Sequence, residues 1–151
     1  MQGWRGVLAG QDDVRALSLD DVPTRPAHST IVLVEPASFD RTYTINPHMS
    51  GAVDRERARR QWEQLRTVYE RHVEDVRVLD PAEVWKTLDD DADVPPPEAQ
   101  PDMVFVANHA LPTAEGDEVV LARMATAERA SEPVYFGAWA RGQGYGVRPA
   151  P

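Results

Sequence analysis

A carboxylate and an amide bracket a short apolar run two thirds of the way along the chain. Asp102 precedes Met103-Val104-Phe105-Val106, Asn108 follows it, and Pro101 stands in front. Apolar residues bounded in this way predict a buried strand over Met103–Val106. At a period of two, Asp102, Val104, Val106 and Asn108 share one face of that strand and Phe105 lies on the other. An acid and an amide at the ends of a buried strand suit a cationic small molecule, because both side chains present oxygen acceptors. They suit equally well a turn built on Asp102 and a strand-end cap built on Asn108. His48 and His109 lack a paired carboxylate at a defined spacing, which favours structural or solvated roles over catalysis or metal ligation. Asp89-Asp90-Asp91 lacks the spacing of a calcium loop.

The elements that must position these residues follow from the hydrophobic pattern. Residues 1–29 are polar, with Pro23 and Pro26 and four aspartates, and read as an extension carrying at most one helical turn near Val14 to Leu19. Ile31-Val32-Leu33-Val34 is a continuous apolar run stopped by Pro36, which predicts a strand covered on both faces. The loop from Pro36 to Gly51 is rich in turn formers and contains Asn46-Pro47. Asp54 then opens a helix whose stripe of Ala58, Trp62, Leu65 and Tyr69 is expected to face the core, with arginines and glutamates on the solvated side. Val76, Val78 and Leu79 predict the next strand. Residues 80–100 form an acidic, proline-rich connector with a turn around Glu83 to Leu88. After Met103–Val106, Glu118 to Ala122 is the following strand, reached through a turn at Gly116-Asp117. A second helix spans about Ala127 to Arg141 and begins properly at Glu132, with Pro133 harmless in its first turn and Gly142 or Gly144 ending it. Tyr145 and Val147 open a last strand. This alternation predicts an α/β domain over 30–151, with parallel pairs and right-handed crossovers.

Composition narrows the function classes. The 151 residues hold 25 acidic and 16 basic side chains, a formal charge of -9, and Lys86 is the only lysine. Such a surface repels phosphate, so neither nucleic acid nor an anionic membrane is an expected partner. There is no cysteine, hence no disulfide, no thiolate metal site and no cysteine nucleophile within these residues. No apolar run reaches the length of a signal peptide core or a membrane span, and a soluble cytoplasmic protein is the expectation.

Three segments, spread over about Ile31 to Val147, resemble the guanidine-modifying enzymes of the pentein superfamily: dimethylarginine dimethylaminohydrolases, arginine dihydrolases and deiminases, and amidinotransferases. Pro101 to Asn108 resembles their strand motif. Phe39-Asp40-Arg41-Thr42-Tyr43-Thr44-Ile45-Asn46-Pro47-His48-Met49 resembles a second motif, of the dimethylarginine dimethylaminohydrolase-like branch. Glu128-Arg129, Glu132 to Phe136, Trp139, Gly144 and Tyr145 follow in the family's order. The resemblance implies about two of the five ββαβ units that this family arranges as a closed α/β propeller, or fan, around a substrate channel. It also implies site roles: Asp102 for the substrate's positive groups, Phe105 as a wall of the guanidine pocket, Asn108 as a hydrogen-bond partner of the guanidinium, Arg123 for an α-carboxylate, and Asn46 of the loop motif as a further substrate-binding residue. A planar guanidinium with five donors is well matched by an in-plane oxygen and a nearby aromatic face. Asn108 and Asn46 resemble the arginine-dihydrolase-type branch, whereas His48 and His109 depart from the family pattern, which has tryptophan and a small residue there. Arg123 also reads simply as a strand-end surface arginine.

The family's hydrolases attack the guanidinium carbon with a cysteine, aided by a histidine and acids, and none of those later segments is matched here. The resemblance therefore implies part of a hydrolase of guanidino C–N bonds, acting on arginine or a methylarginine, that supplies some of the substrate pocket but no nucleophile. No cofactor or metal is implied. A C-terminal partner chain or a homo-oligomer would be needed to complete the fan. The alternatives are a non-catalytic binding or assembly module and a non-functional gene fragment of the same fold.

Overall fold

A computed structural model describes residues 29–89 and 93–151, together with Asp12 and Arg15, which form an exposed pair. The helical turn expected near Val14 to Leu19, most of the N-terminal extension, and Asp90 and Asp91 of the acidic run lie outside the described residues. Two βαβ arrangements make up the frame. Strand β1 (Thr30–Val34) leads through helix α1 (Arg55–Tyr69) to strand β2 (Asp75–Leu79), and the two strands pair in parallel with Thr30 opposite Asp75 and Val34 opposite Leu79. Helix α2 (Pro81–Trp85) follows at once, capped by the Asp80 carboxylate, which accepts from the Ala82 N–H at 2.8 Å. Strands β3 (Ala110–Pro112) and β4 (Glu118–Leu121) form an antiparallel hairpin, and helix α3 (Glu132–Gly142) returns the chain to strand β5 (Gly146–Pro149), parallel to β4. The order β3-β4-α3-β5 is one complete ββαβ sequence; β1-α1-β2 is the same sequence without its first strand.

Local chemistry explains the boundaries. Asp54 caps α1 by accepting from the Arg57 N–H at 2.9 Å. Helix α3 starts with Pro133 in its first turn and ends at Gly144, whose φ of 87° is the left-handed conformation that a side chain disfavours. There the Tyr145 N–H reaches the Ala140 carbonyl and the Gly144 N–H the Arg141 carbonyl, both at 3.0 Å, the paired bonds of a Schellman motif. Gly116, with φ 79°, turns the β3–β4 hairpin.

The buried core joins the two arrangements. Val34, Leu79, Val84, Met103, Val119, Tyr135, Phe136 and Ala140 form one apolar cluster, and Tyr135 within it stacks on Trp85 at 6.2 Å while its hydroxyl donates to the Pro95 carbonyl at 2.6 Å. Helix α1 departs from expectation. Its stripe is only half-buried at Ala58, Trp62 and Tyr69, and Leu65 is 44% exposed. A sheet of two strands offers too little surface to cover a fifteen-residue helix.

The larger correction concerns Met103–Val106. This segment is no strand: it lies in two 3₁₀ turns, Pro101–Val104 and Val106–Asn108, hinged at Phe105. Pro101, Asp102 and Met103 are buried in succession. The backbone is satisfied locally, Phe105 N–H to Asp102 C=O and Asn108 N–H to Phe105 C=O at 3.0 Å each, and the strand that pairs with β4 starts only at Ala110.

Candidate functional site

A cleft of about 310 Å³ opens between the loop that follows β1 and the first of these 3₁₀ turns; Asn46, His48, Asp102, Phe105 and Arg129 are among its walls. The loop is organised by its own turns. The Asn46 side-chain oxygen accepts from the His48 N–H at 2.9 Å, and the Met49 N–H reaches the Asn46 carbonyl at 3.2 Å. Gly51, at φ 77°, receives the Arg41 guanidinium on its carbonyl. Asp40 is paired with Arg55, whose hydrogen bond, with that of the Arg41 N–H, holds its carboxyl below the usual carboxylate range. Phe39 meets Phe105 edge-on at 5.8 Å. That contact fastens the loop to the 3₁₀ segment.

The 3₁₀ turn brings Asp102 and Phe105 to the same cleft. Residues three apart eclipse one another in this helix type, whereas a strand would place them on opposite faces. Asp102 is 4% exposed. Its Oδ2 accepts from the Tyr43 hydroxyl at 2.9 Å and lies 3.8 Å from Arg129 Nε; among the described residues Oδ1 has no hydrogen-bond partner. One carboxylate oxygen is thus fixed while the other stays available. Burial, followed by the hydrogen bond to Asp102, pushes the Tyr43 hydroxyl well above its ordinary acidity range, so it remains a donor at neutral pH.

Behind Asp102 lies a charged chain that runs into the protein. Arg129 donates from Nε (2.9 Å) and Nη2 (2.6 Å) to Glu132 Oε2, from Nη1 to Asn108 Oδ1 at 3.3 Å, and from Nη2 to the Asp102 carbonyl at 3.4 Å. Burial alone would lower the Arg129 pKa, but the hydrogen bond and charge of Glu132, with Asp102 behind, raise it instead. His109 Nε2 sits 3.1 Å from Glu132 Oε2, and both side chains are fully buried.

Of the residues singled out in the sequence, Asn46, Asp102 and Phe105 line the cleft together. Asn108 is exposed and stands at one remove, bound to Arg129; Arg123 is exposed just beyond β4 and forms no part of the cleft wall. His48 lines the cleft. His109 lies outside the cleft wall, fully buried against Glu132. Tyr43, Arg129 and Glu132 were assigned no role by the sequence, although Arg129 and Glu132 are spaced as neighbours on a helical turn. Among the described residues no group of three or more His, Asp or Glu side chains is arranged to hold a metal ion, and no helix is long and apolar enough to cross a membrane.

No family model matches the chain. Among the curated proteins that do are the bifunctional arginine dihydrolase/ornithine cyclodeaminase AgrE of Nostoc sp., 34% identical over 123 residues, and the bifunctional arginine dihydrolase/ornithine cyclodeaminase ArgZ of Synechocystis sp., 35% identical over 125 residues. Each match takes in 80% of this chain and 15% of the relative, so the chain spans about a seventh of their length. Solved structures agree. The N-terminal domain of ArgZ, a cysteine-to-serine variant bound to substrate, superposes with a TM-score of 0.65 at 33% identity over 81% of this chain and 40% of that one. AgrE with a cysteine-to-alanine change and bound L-arginine gives 0.65 at 32% identity over 82% of this chain and 16% of that one. The mixed α/β frame, the three motifs and these matches place the chain in the pentein-type family of the arginine dihydrolase/ornithine cyclodeaminases AgrE and ArgZ, as the counterpart of part of their N-terminal region.

Proposed function

We propose that residues 30–151 form part of a guanidine-modifying α/β propeller and supply one side of the pocket of a hydrolase acting on guanidino C–N bonds, with L-arginine or a close analogue as the ligand. The observation that carries this reading is the cleft in which Asn46, Asp102 and Phe105 meet, with Asp102 Oδ1 free of hydrogen-bond partners among the described residues. A carboxylate oxygen beside an aromatic edge is the environment a planar cation seeks. The family resemblance assigns Asn108 to the guanidinium and Arg123 to an α-carboxylate, although neither lines this cleft. The relatives support the ligand class: AgrE has been crystallised with L-arginine and the N-terminal domain of ArgZ with its substrate, both with a cysteine replaced. These 151 residues contain no cysteine, so a cysteine nucleophile must come from other polypeptide, and the residues by themselves bind without turning over. Exposed Leu65 and Val68 on helix α1 and Leu111 on strand β3 favour cover by another chain or further copies.

The test is calorimetric titration of the chain with L-arginine, beside Asp102→Asn, which keeps the shape and an acceptor for Tyr43 but removes the charge. Saturable binding that weakens at least about tenfold in the variant is the expected result, since a charge-assisted hydrogen bond contributes roughly 1.5–3 kcal/mol. Equal affinity in both proteins would remove Asp102 from the site.

A further inference from the structure

Asp102 and Asn108, the two polar groups that flank the apolar segment, do not touch each other; both touch Arg129. Its Nη2 binds the Asp102 carbonyl and its Nη1 the Asn108 side-chain oxygen, so one rigid guanidinium spans the 3₁₀ segment from end to end. Arg129 is itself gripped from behind by the buried Glu132, through Nε and Nη2. Three groups on one planar fork leave it a single orientation.

Glu132 in turn is fixed by His109. Because the carboxylate only accepts, the 3.1 Å contact requires His109 Nε2 to carry the proton. The other ring nitrogen, Nδ1, is buried without a hydrogen-bond partner among the described residues. An orphaned acceptor is unfavourable in the interior, so the imidazole's polar contribution here is the one bond to Glu132. The ring also packs edge-on to Phe136 at 6.1 Å, which orients that bond from helix α3.

We propose that Arg129 is the positioning residue of the cleft: it sets the backbone of Asp102 and the carboxamide of Asn108 in fixed relation, and Glu132 and His109, in its Nε2–H tautomer, hold Arg129 in the orientation that does so. The consequence for ligand binding rests on the functional reading above. The positioning itself does not. With its oxygen engaged by Arg129, Asn108 offers a ligand its amide N–H or a shared oxygen, so Arg129 also selects which groups of the ligand Asn108 meets.

Nitrogen NMR on the unmodified chain is the first arm. Held on three acceptors, the Arg129 guanidinium should show distinct, slowly exchanging Nη protons, and His109 one pyrrole-like and one pyridine-like ring nitrogen; an averaged Nη signal, or the opposite tautomer, would overturn the proposal even if every variant failed to fold. The second arm is Arg129→Lys, which keeps the charge and loses the fork. The Asn108 side-chain amide signals should move to solvent-like positions, and L-arginine affinity should fall about tenfold; Asn108 signals that stay in place would refute the positioning role. His109→Gln, which retains a donor toward Glu132, should restore most of what His109→Ala loses at Asn108, a rescue that mere filling of space does not predict. If the unmodified chain binds no L-arginine while Arg129→Lys still frees Asn108, the functional reading fails and the positioning role stands.

Discussion

Replacing Glu132 by alanine is the sharpest test of the charged chain behind the cleft. The Glu132 side chain is fully buried, receives Arg129 at 2.6 and 2.9 Å on Oε2, and lies 3.1 Å from His109. Without it, Arg129, whose side chain is 13% exposed, keeps the longer contacts to Asn108 and to the Asp102 carbonyl and the 3.8 Å approach to the Asp102 carboxylate, and His109 loses its one polar side-chain partner among the described residues. Removing one side of a buried ion pair costs about 3–5 kcal/mol, because the remaining charge loses its close partner. Against a total stability of roughly 5–15 kcal/mol for a domain, this is a large fraction. At about 2–4 °C per kcal/mol for a chain of this size, the thermal midpoint should fall by roughly 6–20 °C. Urea unfolding followed by circular dichroism should show an earlier midpoint with an unchanged slope, since the surface exposed on unfolding is the same. Glu132→Gln, which keeps the shape and one acceptor, should fall between the two proteins. Joint replacement of Arg129 by methionine and Glu132 by leucine should recover most of the loss, because apolar residues of similar volume carry no desolvation penalty. A loss below about 1 kcal/mol for Glu132→Ala would mean that the pair is solvated, and the account of a gripped guanidinium would be wrong.

Tyr43 predicts an alkaline limb in the stability profile. Its hydroxyl, raised by burial and then by the hydrogen bond to Asp102, keeps its proton in the folded state above the unfolded value near 10; the stabilisation is whole below that pH and is lost as pH rises further. The urea midpoint should therefore decline above about pH 10, and Tyr43→Phe should flatten part of that decline, the rest belonging to Tyr135, which burial and then Glu98 also raise; identical slopes in the two proteins would contradict the buried hydroxyl. Gly51→Ala isolates backbone strain in the cleft loop, since a Cβ there meets nothing within 4 Å yet φ is 77°. A loss of about 1 kcal/mol is expected in the same urea assay, and no loss would mean that the loop relaxes freely.

Periodicity and turn chemistry made much of the frame legible. The apolar run before Pro36, the acid that caps α1, Pro133 and the glycine that ends α3 each act through neighbours within a few residues, and the observed elements start or stop at or near them. The failure at Met103–Val106 has the same root. A short apolar run specifies burial, not conformation, and Met103 is indeed 2% exposed; what decides against a strand is where the backbone N–H groups find acceptors, and those acceptors are local carbonyls. The half-exposed stripe of α1 was illegible for a different reason, because an amphipathic pattern states which face seeks cover and not how much cover the fold supplies.

The cleft shows why that error bears on function. Had Met103–Val106 been a strand, Asp102 and Phe105 would point to opposite faces, and an acid and an aromatic ring could not share a ligand. The 3₁₀ turn repeats every three residues, so the same two side chains come to one side. The segment's hydrogen bonds are local, but its outside ties are not: the Tyr43 hydroxyl on Asp102 comes from 59 positions earlier and the Arg129 guanidinium on the Asp102 carbonyl from 27 positions later. Both side chains were visible in motifs of the sequence, yet nothing in their spacing says that they converge on one aspartate. Composition names the groups capable of holding a cation; it is the tertiary convergence of a loop, a turn and the start of a helix that leaves one oxygen of Asp102 fixed and the other, among the described residues, without a partner.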